Sequence, residues 1–258
     1  MQKVLVANRG EIALRVIRAC QELELSTVAV YSTADEDALH VRRADEAVCI
    51  GPPHARDSYL NVDALIGAAR ETGADAIHPG YGFLAENARF ATACEAEGIT
   101  FVGPAPAAIE EMGDKARARR LAKQSGVPTV PGTDDIASLE QALGIAEAIG
   151  YPVMVKAAAG GGGRGIRTAR DPEELRAVVA EAAREAEAAF GDESLYVEKL
   201  LVNARHVEVQ VLGDHHGNLL HLYERECSMQ RRRQKVLEES PAPELDRKST
   251  RLNSSHRL

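Results

Sequence analysis

The chain has 258 residues, a net charge of −8, no tryptophan and four cysteines. That acidic balance argues against sequence-independent nucleic-acid binding, whose affinity comes from a basic surface. Cys20, Cys49, Cys94 and Cys227 lie far apart without C-x-x-C spacing. They signal neither a zinc site nor a disulfide framework, and no apolar run reaches the length of a membrane span.

In chain order, the start meets polar Asn8-Arg9 directly after Lys3-Val4-Leu5-Val6-Ala7. That is unlike a signal peptide, so the expected location is cytoplasmic, with reduced thiols. Short apolar runs at residues 4–7, 27–31, 47–50, 74–78 and 100–102 predict strands. Helical spacing at 12–19, 62–70 and 86–97 predicts helices between several of them. Alternation of this kind implies a parallel sheet covered by helices on both faces. Ligands of such sheets gather at the carboxyl ends of the strands. Asn8-Arg9-Gly10 and His78-Pro79-Gly80-Tyr81-Gly82 both fall at such ends.

From Pro104 the pattern changes. Helices are predicted near 107–112, 115–125 and 138–149, then a strand at 152–156, a glycine run, a short strand at 165–168 and a long helix at 172–189. The remainder reads as antiparallel: strands at 195–198, 206–212 and 219–223, a turn at 213–218 and alternation on to Glu239. Val207, Val209 and Val211 are expected to face inward, with His206, Glu208 and Gln210 on the other side. Abundant alanine implies close helix contacts through small residues. The fold class is α/β: a Rossmann-like parallel-sheet domain over 1–113, then a mixed α+β domain over 114–245, divided near Gly113-Asp114. Residues 246–258 carry +3, leaving −11 on 1–245. They lack periodicity and read as a non-native read-through tail, similar to a translated sequencing adapter; a basic disordered tail is the alternative.

Lys156 precedes the run Gly160-Gly161-Gly162-Gly163-Arg164-Gly165. A strand rather than a helix follows, which argues against a dinucleotide fingerprint, and no Gly-Lys-Ser/Thr ends the loop. Strand, glycine flap and strand would let backbone N–H groups cover phosphates. A plain surface hairpin is the alternative, opposed by the entropy four glycines lose on ordering. Lys115 opens a helix behind a plausible Asp114 cap, where a cation is disfavoured unless an anion docks. A solvated basic face shared with Arg119 and Lys123 is equally compatible. The cluster Gln230-Arg231-Arg232-Arg233-Gln234-Lys235 suits ATP phosphates and a small anion better than nucleic acid, given the acidic body. Arg231, Arg233 and Lys235 would share one face of a strand. His215 and His216 sit in a turn without partners, so no metal site is read there.

These segments together resemble the biotin carboxylase family, with its pre-ATP-grasp and ATP-grasp domains. The motifs are Ala7-Asn8-Arg9-Gly10-Glu11-Ile12-Ala13, His78-Pro79-Gly80-Tyr81-Gly82-Phe83-Leu84, Met112-Gly113-Asp114-Lys115, the Lys156 glycine loop, Arg205-His206-Val207-Glu208 and Cys227-Ser228-Met229-Gln230-Arg231-Arg232. The resemblance spans residues 1–245 and implies an ATP-dependent ligase of the acetyl-CoA or propionyl-CoA carboxylase type. ATP would activate bicarbonate as carboxyphosphate, and the carboxyl group would pass to N1 of a carrier-bound biotin.

By resemblance, Lys115, Lys156 and the Gly162 and Gly163 amides bind phosphates. Glu198, Lys199, Leu200 and Leu201 form an adenine hinge, and His206 meets the ribose. Gln230 and Arg233 belong to the nucleotide site, where Arg233 replaces the histidine of many members. Lys235 lies beside the γ-phosphate and bicarbonate, and Tyr81 near the biotin ring. Implied partners are a biotin carboxyl carrier protein, a carboxyltransferase and, in the full-length form, a second copy. The Mg²⁺-binding glutamates and the residues activating bicarbonate and biotin are expected beyond this sequence, so the 258 residues alone are expected to be an inactive, truncated form. The alternatives are a non-catalytic nucleotide-binding remnant or another ATP-grasp ligase, similar to carbamoyl-phosphate synthetase.

Overall fold

The computed structural model describes residues 1–113, 115–133, 135–157, 166–190, 193–214, 216–231 and 234–243. The chain divides into two compact units between Leu121 and Ala122. In the first, β1 (Lys3–Val6), β2 (Ser26–Ser32), β3 (Glu46–Gly51), β4 (Ala76–His78) and β5 (Thr100–Phe101) form a sheet in the order β3-β2-β1-β4-β5, with every pairing parallel.

Side chains alternate across a strand, and here both faces are apolar. Val4, Val6, Ala29 and Ala76 pack with Ala13, Val16, Ile17 and Cys20 of α1 (Gly10–Glu22). Those four α1 positions follow the i, i+3, i+4, i+7 spacing of a helix with one buried stripe. After α2 (Leu39–Arg43), the opposite face closes on α3 (Val62–Thr72) and α4 (Ala88–Ala96). Leu5, Val28, Val30 and Ile77 meet Leu65, Ile66, Phe90 and Cys94 there. Asn61 and Asn87 cap α3 and α4 by accepting from the Ala64 and Phe90 amides. The helices on both faces are as expected. The five-residue α2 and the 3₁₀ turn Ala55–Asp57 are too short to display a period. α5 (Pro106–Gly113) and α6 (Lys115–Gln124) follow, and contacts place α6 as far as Leu121 with this unit.

The second unit begins with α7 (Leu139–Ile149), β6 (Val153–Ala157), β7 (Ile166–Ala169), α8 (Pro172–Phe190) and β8 (Leu195–Lys199). The strands run antiparallel in the order β7-β6-β8. Val153, Val155, Ala157, Ala169, Leu195 and Val197 pack against Ala142 and Ala146 of α7 and Leu175, Ala182 and Ala186 of α8. This is the alanine-rich contact foreseen from composition. Alternation then leaves Met154 and Lys156 on the opposite face with their cross-strand partners Glu198 and Tyr196.

β9 (Val207–Gly213), β10 (Leu219–Arg231) and β11 (Gln234–Glu239) form a second antiparallel sheet, in the order β11-β10-β9. Here two expectations are corrected. Val209 and Val211 do not face inward; they are 53% and 52% exposed, because none of the hydrophobic cores among the described residues draws a side chain from these strands. Nor do Arg231 and Lys235 share a face of one strand. They lie on different strands, with Gln230 opposite Lys235 and Arg231 opposite Gln234. Directly paired residues share a face and successive residues alternate, so Arg231 and Lys235 point to opposite sides.

Candidate functional site

Lys156 is the penultimate residue of β6, and its register partner on β7 is Ile166. The residues between these strands, 158–165, include Gly162 and Gly163 and lie outside those described. The expected order of strand, glycine run and strand is therefore bounded by two paired strands. On the polar face, the Lys156 ammonium donates to the Glu198 carboxylate and lies 5.9 Å from the centre of the Tyr196 ring. Both side chains of the ion pair are largely withdrawn from solvent.

The segment from Glu198 to Leu201 leaves β8 with its backbone fixed. Lys199 N donates to Pro131 O at 2.8 Å, and Leu200 N donates to Pro152 O at 3.1 Å. The Lys199 ammonium is held by the Gly150 and Tyr151 carbonyls at 3.0 and 2.9 Å. Among the described residues the Leu201 amide has no partner. It is a donor directly after the two hydrogen-bonded amides of Lys199 and Leu200.

A second group gathers around Glu208. One of its oxygens accepts from Arg225 Nε and Nη2 at 2.9 and 2.6 Å, and the other from Lys235 Nζ at 2.6 Å. These hydrogen bonds hold the Glu208 carboxyl down at about 2 and raise the Lys235 ammonium. His206 Nε2 lies 3.6 Å from the Lys235-bound oxygen. His206 Nδ1 meets Gln230 Nε2 at 2.7 Å, and Gln230 Nε2 also donates to Cys227 O at 2.9 Å. An amide nitrogen can only donate, so this contact selects the imidazole form with its proton on Nε2. His206 N is anchored on Ser228 Oγ at 2.7 Å. Thus His206, Gln230 and Lys235, expected together, do meet on one hairpin sheet.

Tyr81 belongs to the first unit and is 61% exposed. Its hydroxyl donates to Glu11, whose carboxylate raises the phenol's pKa. Lys115 opens α6 as expected, but its side chain, Asp114 and Arg233 lie outside the described residues.

Sequence reasoning did not single out Glu208 or Arg225 as site residues, although Glu208 stood within a matched motif. Their signal is the antiparallel register, which pairs them directly.

Mg²⁺ is implied by the family, and the described residues do not fit it. The candidate cluster, Glu208, Cys227 and Glu238, has ligand atoms within 4.8 Å of one another. Mg²⁺ takes an octahedron of oxygens, whereas one ligand here is a thiol and Glu208 already carries two cations.

The profile described as biotin carboxylase, N-terminal domain, matches residues 1–109, and that described as carbamoyl-phosphate synthase L chain, ATP binding domain, matches 114–255. Biotin carboxylase 1 of Bacillus subtilis is 59% identical over 247 residues, covering 95% of this chain and 55% of that protein. The chain belongs to the biotin carboxylase family. This family of ATP-dependent ligases includes the propionyl-CoA carboxylase alpha chain of Ruegeria pomeroyi, 53% identical over 96% of this chain and 37% of its own length. The chain thus spans about half the length of the biotin carboxylases it matches.

Among solved structures, the Campylobacter jejuni biotin carboxylase–β-γ-ATP complex superposes with a TM-score of 0.91 at 49% identity, over 98% of this chain and 57% of that one. The biotin carboxylase domain dimer of Hydrogenobacter thermophilus 2-oxoglutarate carboxylase, in complex with MgADP, ADP and bicarbonate, gives 0.89 at 54% identity, over 98% and 56%. These matches confirm the fold class, a parallel-sheet α/β unit followed by ATP-grasp-like sheets. The first profile and the curated relatives, which are biotin carboxylases and alpha chains of acyl-CoA carboxylases, favour this family over a carbamoyl-phosphate synthetase-like ligase, whose description the second profile carries. No helix among the described residues is long and apolar enough to cross a membrane.

Proposed function

We propose that these residues form the nucleotide-binding part of a cytoplasmic biotin carboxylase, with 1–113 and 114–245 as its domains. The observation that carries this reading is Lys156, held on the polar face of β6 at the foot of the glycine run. Nucleotide binding exchanges the Glu198 carboxylate for phosphate oxygens as the partner of Lys156. Lys115 and the Gly162 and Gly163 amides add donors, and Arg233 belongs to the same site. Adenine lies along Glu198 to Leu201, where the Leu201 amide is available, and His206 reaches the ribose through Nε2–H.

A bicarbonate oxygen attacks the γ-phosphorus, breaking its bond to the ADP oxygen and forming carboxyphosphate. The carboxyl carbon then passes to biotin N1 as its bond to the phosphate oxygen breaks, and the departing phosphate takes up the N1 proton and leaves as inorganic phosphate. Lys235 is a cation whose pKa Glu208 raises further, and it offsets charge on the transferring oxygens. The partners are carrier-bound biotin, a carboxyltransferase and a second copy.

The test is ATP cleavage by the gene's complete product, with and without bicarbonate and free biotin. Cleavage should need bicarbonate and rise with biotin. Lys235→Ala should lower kcat about 10²-fold or more while changing nucleotide affinity much less, since its contact strengthens in the transition state. Near-parental turnover in that variant would overturn the role of Lys235, and cleavage indifferent to bicarbonate would overturn the reading as a whole.

A further inference from the structure

In the order β3-β2-β1-β4-β5, the chain leaves β1 towards one edge and later returns to β4 on the other side. Ligand crevices of such sheets open at this point. Here it is occupied by Asn8, only 3% exposed. Asn8 Nδ2 donates to both Pro79 O and Tyr81 O at 2.8 Å, and its Oδ1 accepts from Arg9 N at 2.9 Å. Two carbonyls on one side leave the side-chain amide a single satisfied orientation.

The loop it grips would otherwise be loose. Gly80 and Gly82 have φ of +65° and +69°, backbone states that cost glycine much freedom when fixed. A Cβ on Gly80 would stand 2.8 Å from Asn8 Nδ2 and 3.1 Å from Ile12 Cγ1, so the loop sits directly on Asn8. Gly80 N donates to His78 Nδ1 at 3.0 Å. At the far end Phe83 stacks on buried Tyr59 at 5.2 Å, and Tyr59 donates to Asp35. Between these anchors, Tyr81 projects with its ring exposed and its hydroxyl tied to Glu11.

We infer that Asn8 is a positioning residue, clamping the 78–83 loop so that Tyr81 is presented in one fixed geometry to the planar ureido ring of biotin. This rests on the reading that Tyr81 meets that ring. Asn8→Asp keeps the shape but sets an acceptor against two carbonyls, Gly80→Ala lifts the loop off its seat, and Asn8→Ser retains one donor.

The experiment is steady-state kinetics of the gene's complete product with free biotin, beside hydrogen exchange of the same variants. Asn8→Asp and Gly80→Ala should raise KM for biotin about tenfold or more, with KM for ATP within about twofold and Asn8→Ser in between, because misplacement of a contact costs binding where that contact is made. Exchange should quicken at residues 80–83 while β1 and β4 stay protected. Should Tyr81→Ala raise KM for biotin while Asn8→Asp leaves it unchanged, Tyr81 keeps its role and the clamp fails. Should Tyr81→Ala itself leave KM for biotin unchanged, the placement of biotin fails and takes the inference with it. Loss of protection throughout β1 and β4 in both Asn8→Asp and Gly80→Ala, with every kinetic constant affected alike, would make Asn8 structural only.

Discussion

Glu208 accepts from Arg225 through one oxygen and from Lys235 through the other, so its charge supports both the β9–β10 pairing and the placement of Lys235. Its carboxyl sits at about 2 in the folded chain, below the ordinary glutamate value of about 4.3. A depressed carboxyl favours the folded state when ionised. Its contribution is therefore complete above the ordinary range and disappears as pH falls towards the folded value. Side chains this accessible are screened by solvent and salt, so the effect is modest. Urea midpoints of parent and Glu208→Gln should accordingly converge between about pH 5 and pH 2.5, as the parent alone loses this contribution. A difference that stays constant over that interval would mean the carboxylate's charge plays no part in folding.

At the scale of elements, the β6–β8 layer packs one face on helices and carries Lys156 and Glu198 on the other. Gly132 lies against β8, with Thr133 N bonded to Val197 O and Lys199 N to Pro131 O, both at 2.8 Å. A Cβ on Gly132 would fall 2.3 Å from Val197 O and 2.7 Å from Glu198 Cα. Gly132→Ala must therefore displace backbone, at a cost of about 1–3 kcal/mol, and weaken nucleotide binding through Glu198 to Leu201. Denaturant unfolding and calorimetric titration with ADP would measure both, and unchanged values would mean that the segment adapts freely. Most strands and helices here were legible in sequence because each buries a periodic face. The place of Lys156 on a strand just before the glycines was legible too. Its Glu198 partner was not, because a 42-residue separation becomes a contact only through the β6–β8 register. The face of Lys235 was misread because β10 ends at Arg231 and β11 begins antiparallel at Gln234, in a sequence that lacks the glycine, asparagine or aspartate of a usual hairpin turn. Asn8 stood in a matched motif, but its work lies in two carbonyls more than 70 residues away.

Across the whole molecule, apolar burial is uneven. The parallel sheet is closed by helices on both faces, β6–β8 on one, and among the described residues of β9–β11 only Cys227 is fully covered. Local opening is easiest where few apolar contacts must be broken. In the 258-residue chain, amide exchange should thus be slowest in β1, β2 and β4, faster in β6 and β8, and fastest in β9–β11. Exposed Val209, Val211, Leu220, Leu222 and Val236 contribute little to holding those strands closed, since stabilisation follows the apolar area removed from water. Residues 246–258 lie outside those described. Their charge of +3 against −11 for the rest and their lack of apolar period give them little to bury, and we propose that they are not native to the fold, against which stands the ATP binding domain profile that runs on to residue 255. Their deletion should leave the exchange order unchanged. Mass spectrometry of peptic fragments from both chains would resolve it. Protection in β9–β11 equal to that of β1 would show that the hairpin sheet is covered after all, and its loss on deleting the tail would identify the tail as the cover.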